Sequence, residues 1–252
     1  MFLPKYLKLM KWNILCYHTV DLNQAAVFVR QLRWFRECEG YKFQAFNEAF
    51  MAQSHGGHGK IMTVTFDDGD WTVSAIAQKV LDDEGIRAML YLTPDYVLKK
   101  KCYRAKTVRP ALNWDQLGRW IDAGHEIGSH TNTHINPQLC EMSEFIDELE
   151  QSRLIIQTRL GITPCHFAYP WGQHNEQTLQ WFHGQSDWKT AALVQGRFNS
   201  APTDPFLLHR NVMSADWDLQ AMHRVVRGRI ARWVYQVKTS LFRTNRQKRI
   251  SC

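Results

Sequence analysis

The chain has little of what would mark it as a scaffold of staples or a span of membrane. Its six cysteines (Cys16, Cys38, Cys102, Cys140, Cys165 and Cys252) include no C-x-x-C pair, so no thiolate metal motif is present. A chain of 252 residues can bury a full core without disulfides, and free thiols in a reducing compartment are the simplest expectation. There is no run of about 18 apolar residues, which leaves no candidate spanning helix. The first residues, MFLPKYLKLMKW, are interrupted by Lys5, Lys8 and Lys11 and precede no small-residue cleavage site, so they do not read as a signal peptide. A cytoplasmic location is therefore expected. Acidic residues are missing altogether after Asp218. Residues 223–252 hold nine Lys and Arg, which leaves 22 basic against 24 acidic residues in the rest. The body is near neutral and the whole excess of +7 sits in the tail.

What is present is a globular composition, with 44% hydrophobic and 22% charged residues. Apolar runs at Trp12–Tyr17, Ile61–Phe66, Ala88–Leu92, His125–Gly128, Cys165–Tyr169, Lys189–Val194 and Phe206–His209 read as short strands. Between them, helical patterns cover Gln24–Cys38, Thr72–Glu84, Asn113–Ala123, Ser143–Leu160 and Asn175–His183, several stopped by glycine. Strand and helix alternate, which predicts an α/β fold with a parallel sheet and helices outside. The length suits one α/β barrel, whose sites form after the strands. The expected division is a catalytic domain over residues 1–222 and a basic amphipathic helix and tail over 223–252.

Two polar clusters follow strands. Thr65-Phe66-Asp67-Asp68-Gly69 sets two carboxylates side by side on what reads as a turn, where they repel unless a cation or donor is near. Ser129-His130-Thr131-Asn132-Thr133-His134 sets two imidazoles at i and i+4, on one face if the backbone is helical. One carboxylate and two imidazoles suit a divalent metal with open coordination positions. Alone, the first cluster is as readily a solvated turn and the second a pair of surface histidines; together, both after strands, they point to a metal.

These residues carry a resemblance. Thr65–Gly69 resembles the T-F-D-D-G motif of the polysaccharide deacetylases (NodB-homology, carbohydrate esterase family four), and Ser129–His134 resembles their H-S/T-x-x-H motif. Phe167-Ala168-Tyr169-Pro170-Trp171-Gly172 resembles a third motif in its F-A-Y-P-x-G form. Ile14–His18 resembles the opening strand. The likeness runs from about Asn13 to Met213. It implies a distorted (β/α)₇ barrel in which Asp68, His130 and His134 hold a divalent metal. Zinc is foremost, while cobalt, nickel, iron and manganese suit the same donors. Asp67 is implied as the base and the Trp171 N–H as an oxyanion donor. His209 is implied as the proton donor, from Leu207-Leu208-His209 matched to an L-x-H motif. In the F-A-Y-P subgroup the last motif often reads L-P-R, which sets His209 on the Pro and Arg210 on the Arg. Many members have an orienting Arg in the third motif, where this chain has Ala168. Asp187-Trp188 resembles a fourth, supporting motif, and His18 is a rim candidate whose alternative is a structural histidine.

The implied activity is removal of an N-acyl group, foremost N-acetyl, from a sugar in cell-surface glycan synthesis such as lipopolysaccharide O-antigen. A non-catalytic carbohydrate-binding barrel and a deformylase acting on a lipid-linked amino sugar are the alternatives. The tail places Val226, Ile230, Trp233, Val234, Val237 and Leu241 on one helical stripe among arginines. It would either pack on the barrel or touch an anionic inner membrane. No nucleic-acid partner is expected, because no reading motif accompanies the charge.

Overall fold

The computed structural model of the chain describes residues 10–104 and 107–226. Strands β1 (Lys11–Tyr17), β2 (Lys42–Phe43), β3 (Lys60–Asp68), β4 (Ala88–Leu92), β5 (Lys101–Arg104), β6 (Thr107–Pro110), β7 (Glu126–Ser129), β8 (His166–Ala168), β9 (Thr190–Val194) and β10 (Leu208–Val212) alternate with eight helices. These are α1 (Ala25–Glu37), α2 (Phe46–Ser54), α3 (Gln78–Asp83), α4 (Pro94–Lys99), α5 (Trp114–Asp122), α6 (Met142–Leu160), α7 (Glu176–His183) and α8 (Leu219–Val226). A π-helical turn, Val73–Ala77, precedes α3.

Seven strands run parallel in the order β1-β10-β9-β8-β7-β4-β3, and β1 pairs with β3 to close the ring. This is the expected distorted (β/α)₇ barrel. The closing pair is the longest, with Lys11 through Tyr17 opposite Lys60 through Phe66. β2 adds to the same edge of β3 that β4 occupies further along.

Alternation along each strand sorts the core into two parts. Leu15, Tyr17, Met62, Val64, Phe66 and Leu90 face outward and pack with Phe28, Leu32 and Phe35 of α1. Trp12, Ile14, Ile61, Met89, Tyr91, Ala168, Ala192 and Leu208 fill the barrel, so its lower part is solid. Gln31 of α1 ties the last strand's exit to the first: it accepts from the Tyr17 hydroxyl at 2.9 Å and donates to the carbonyls of Ser214 and Trp217.

The floor is closed by α2, for which the sequence offers no clear periodicity. Phe46 meets Trp12, Tyr91 and His166 edge-on. The Glu126 carboxylate accepts from the Phe46 and Asn47 backbone N–H groups at 2.6 and 3.1 Å, an anion at the helix's positive end. Asn47 Nδ2 donates to the same carboxylate, which turns its Oδ1 toward His166. His166 Nε2–H therefore donates to Asn47, and its Nδ1 accepts from the Thr190 hydroxyl at 2.9 Å.

Two strand bounds differ from expectation, and one element is new. The strand read as ending at Phe66 continues through Asp67 and Asp68, because both pair with β4, opposite Tyr91 and Leu92. The last strand starts at Leu208 rather than Phe206, because Asp204 and Pro205 open a tight 3₁₀ turn over Pro205–Leu207. The segment between α4 and α5 forms an antiparallel hairpin, β5–β6. The boundary set at 222/223 falls inside α8, whose Met222 is packed in the outer core; the tail beyond residue 226 lies outside the described residues. Among the described residues no helix is long and apolar enough to cross a membrane, and Cys16, Cys38, Cys140 and Cys165 are free thiols.

Burial holds the His166 imidazole neutral, with its pKa pushed down to about 3. A depressed folded pKa means that this contribution is complete above about pH 6.5 and is lost as pH falls toward 3. Urea unfolding should show the native chain losing about 2 kcal/mol more than His166→Gln between pH 7 and pH 5; equal losses would contradict it.

Candidate metal and acid–base site

The barrel mouth gathers the carboxyl ends of the strands, and the polar clusters meet there. Asp67 ends an inward-facing row of β3, after Ile61, Thr63 and Thr65. Arg210 points inward from β10. Between β8 and β10 the inward positions are Ala168 and Ala192, small enough to let the Arg210 side chain cross toward β3. It does so fully buried. Nη1 donates to Asp67 Oδ1 at 2.6 Å and Nη2 to Oδ2 at 2.8 Å, a bidentate fork. Its Nε donates to the Leu193 carbonyl and its guanidinium lies 5.0 Å over the Tyr91 ring. Gly128 makes room for that ring, since a Cβ there would fall 2.6 Å from it. The Cys16 thiol, near the carboxyl end of β1, donates to Asp67 Oδ2 at 3.4 Å.

Burial alone would raise the Asp67 carboxyl, but the Arg210 guanidinium and His130 outweigh it, and the group is held well below the usual carboxylate range. Burial pushes the Cys16 thiol up, so it stays a neutral donor beside this carboxylate.

Asp68, His130 and His134 form the second half. Their ligand atoms all lie within 4.8 Å of one another. His134 Nε2 is 3.4 Å and His130 Nε2 3.8 Å from Asp68 Oδ1. The His130 ring is oriented by Nδ1, which donates to the Ala168 carbonyl at 2.7 Å; a carbonyl only accepts, so Nε2 keeps its lone pair toward the cluster. Burial depresses both imidazoles, His134 to about 3, with His130 adding to the effect on His134. Neutral imidazoles and an ionised carboxylate are the protonation states that a divalent metal needs. This donor set fits the expected cofactor.

The i, i+4 spacing does not work through a helix. Thr131 and His134 both have left-handed backbones, φ 62° and 64°, and the loop folds back to bring the rings to 4.9 Å, edge to face. Asp68 (φ 76°) and Trp171 (φ 62°) are left-handed too. Such conformations cost of order 1–3 kcal/mol each, and four of them converge on one mouth. Glu148 of α6 braces the loop, accepting from the Thr133 N–H at 2.7 Å and its hydroxyl at 2.8 Å. Trp171, in the turn after β8, sets its indole edge-on to His134 at 5.1 Å.

His209 is not brought to this site. It alternates with Arg210 along β10, so its side chain faces away from the barrel interior, near Arg197, and burial and that cation lower its pKa. The register that sets Arg210 at the motif's charged position is the one the geometry follows. His18, two residues past Cys16, does reach it: its ring, Cys16 Sγ and a carboxylate oxygen of Asp67 lie within 4.8 Å of one another. Asp187 and Trp188 lie elsewhere, Asp187 exposed beside Arg153 and Trp188 packed on Phe167 outside the barrel. Asp70, the third acid of the D-D-G-D run, accepts from Thr72 and from Arg109 Nε at 2.6 Å.

Comparison with known proteins bears on the family and the fold. The family model described as polysaccharide deacetylase matches residues 55–183, just over half of the chain. Among solved structures, a deacetylase from Streptococcus pyogenes, PplD, in complex with acetate, is similar in fold, with a TM-score of 0.72 and 19% identity over 87% of this chain and 99% of that one. IcaB from Ammonifex degensii gives 0.71 and 21% over 92% and 100%. A de-N-acetylase from Aggregatibacter actinomycetemcomitans gives 0.70 and 16% over 85% and 99%. At these identities the likeness is one of fold. A comparison with curated protein sequences found no match. The family and the fold are those of a carbohydrate-deacetylating hydrolase. The chain belongs to the polysaccharide deacetylase family.

Removing one partner of a buried ion pair strands the other charge. Arg210→Ala should therefore cost about 3–5 kcal/mol of stability, read from the urea midpoint. A loss under about 1 kcal/mol, typical of exposed pairs, would show that the pair is not buried in solution.

Proposed function

We propose that the chain is a metal-dependent N-deacetylase that removes the acetyl group of an N-acetylated sugar during synthesis of a bacterial cell-surface glycan, such as lipopolysaccharide O-antigen. The convergence of Asp68, His130 and His134 beside an Asp67 pinned by Arg210 is the observation that carries this reading. The three would hold a divalent cation, zinc being the best match to two imidazoles and a carboxylate. Such a cation acidifies water and polarises an acyl carbonyl.

The chain's own residues supply the proton traffic. Asp67 Oδ2 is the oxygen nearer His130, 3.9 Å from Nε2, and is placed to take the proton of the attacking water. Arg210 holds the carboxylate in plane, so its orientation is set before substrate arrives. The backbone N–H of Trp171 is the proposed donor to the carbonyl oxygen as it gains charge. The amine must leave with a proton. His18 lies on the Asp67 side of the mouth and takes the role proposed from sequence for His209. The acetamide C–N bond breaks, acetate departs and the sugar keeps a free amine. The acetate held by PplD supports a small acyl group as the product.

The proposal places the protein in the cytoplasm, at the inner membrane surface, with the basic tail touching anionic lipid. Vesicle sedimentation with and without residues 227–252 tests that placement; equal pelleting would sink it.

The catalytic assignments are tested by acetate release and zinc content measured together. Asp67→Asn and His18→Ala should each lower turnover by about 10²–10⁴-fold with zinc retained. His134→Ala should lose the metal as well. His209→Ala should stay within about threefold of the native rate, well short of the loss expected of an acid–base residue. A collapse of turnover in His209→Ala with His18→Ala active would reverse the proton-donor assignment.

A further inference from the structure

The β5–β6 hairpin rises beside the mouth and its two faces differ in character. Directly opposite residues of an antiparallel pair share a face. Cys102 and Arg109 are one such pair and face the barrel. Cys102 is buried, and Arg109 clamps Asp70 and Asp21. The Pro110 carbonyl accepts from the Trp71 N–H, and the Leu112 N–H donates to Gly69, so the hairpin is fastened to the residues that directly follow Asp67 and Asp68. Tyr103 and Val108 are the next pair and face outward, 46% and 58% exposed. Leu98, at the end of α4, is 47% exposed. Lys100 and Lys101 stand exposed beside them, while Lys99 is paired with Asp95. In sequence, residues 99–109 hold six Lys and Arg and no Asp or Glu.

We infer that this outward face, with Leu98, Lys100, Lys101, Tyr103 and Val108, is a docking surface for an anionic lipid bilayer. Exposed apolar and aromatic side chains ringed by cations of one sign are the combination that partitions into a charged membrane interface. A face built only for water would mix both signs of charge and show fewer apolar groups. A soluble anion would use the lysines but has no use for an exposed Val108 and Leu98. The surface is coupled to the mouth by a line of rings: Tyr103 meets Tyr96 at 5.5 Å, and Tyr96 stacks on His134 at 6.1 Å. An enzyme seated on this face would hold its mouth next to the headgroups, where a lipid-linked sugar presents its acetamide. The inference rests on the deacetylase reading for that purpose alone; the surface is argued from its own residues and is independent of the tail.

Amide hydrogen exchange of the full chain tests it, with vesicles of phosphatidylglycerol or of phosphatidylcholine. Residues 98–104 and 107–110 should gain protection with the anionic vesicles only, and lose it at about 0.5 M salt, where screening shortens to a few ångströms. The combined variant Lys100→Gln, Lys101→Gln, Val108→Asp should partition onto these vesicles at least tenfold more weakly, each lysine contributing about fivefold. Its melting temperature and zinc content should match the native chain. An unprotected hairpin, or unchanged partitioning by the variant, overturns the inference even where the tail is protected. Equal protection by inorganic pyrophosphate without vesicles overturns it in favour of a soluble anion. If the hairpin is protected as expected while no N-acetylated glycan releases acetate, the docking surface stands and the deacetylase reading fails.

Discussion

The fork between Arg210 and Asp67 is the constraint on which the mouth depends. A guanidinium buried away from solvent is tolerated beside a carboxylate that accepts both of its parallel N–H groups, and the guanidinium in turn is the largest influence holding that buried carboxylate ionised. The pair reaches across the inside of β1, the strand that lies between β10 and β3, and so ties those two strands together. The small inward side chains of Ala168 and Ala192, and the bare Gly128 that admits Tyr91, follow from the room this crossing requires. Asp67 and Asp68 are adjacent carboxylates; Arg210 matches the first, and His130 and His134 lie beside the second.

Much of the surrounding structure holds strained backbone in place. Left-handed residues at Asp68, Thr131, His134 and Trp171 converge on the mouth from three different segments. The compensation is distributed: Glu148 grips the histidine loop from α6, Ala168 orients His130, and Arg109 pins the hairpin to Asp70. Rigid strands below and braced loops above give the site its precision before any ligand arrives.

The seven barrel strands were legible in the sequence because each is a short apolar run between turn residues, buried on both faces as parallel strands are. Asp67, Asp68, His130 and His134 were legible for a different reason: ionisable residues directly after such runs must lie at the mouth. The path that joins the two histidines was not. Spacing of four suggested a helical face, whereas the loop closes through two left-handed residues that no local pattern announces. The choice between His209 and Arg210 turned on strand parity. Leu208 fills the barrel interior, so Arg210 two residues on shares its inward face and His209 between them faces outward. The helix α2 was missed because its stability comes from Glu126, eighty residues away, rather than from its own periodicity. The hairpin was missed because it pairs only with itself and with the turn that follows β3.

The closed floor has a consequence for traffic. Phe46 and Trp12 seal the lower end, and the layers above them are packed solid, so the barrel is a cup with one opening. Substrate, water and both products share that opening. A long glycan cannot thread through; it can only lie across the rim and dip one acetamide at a time, and acetate must escape past the strand of sugar that released it.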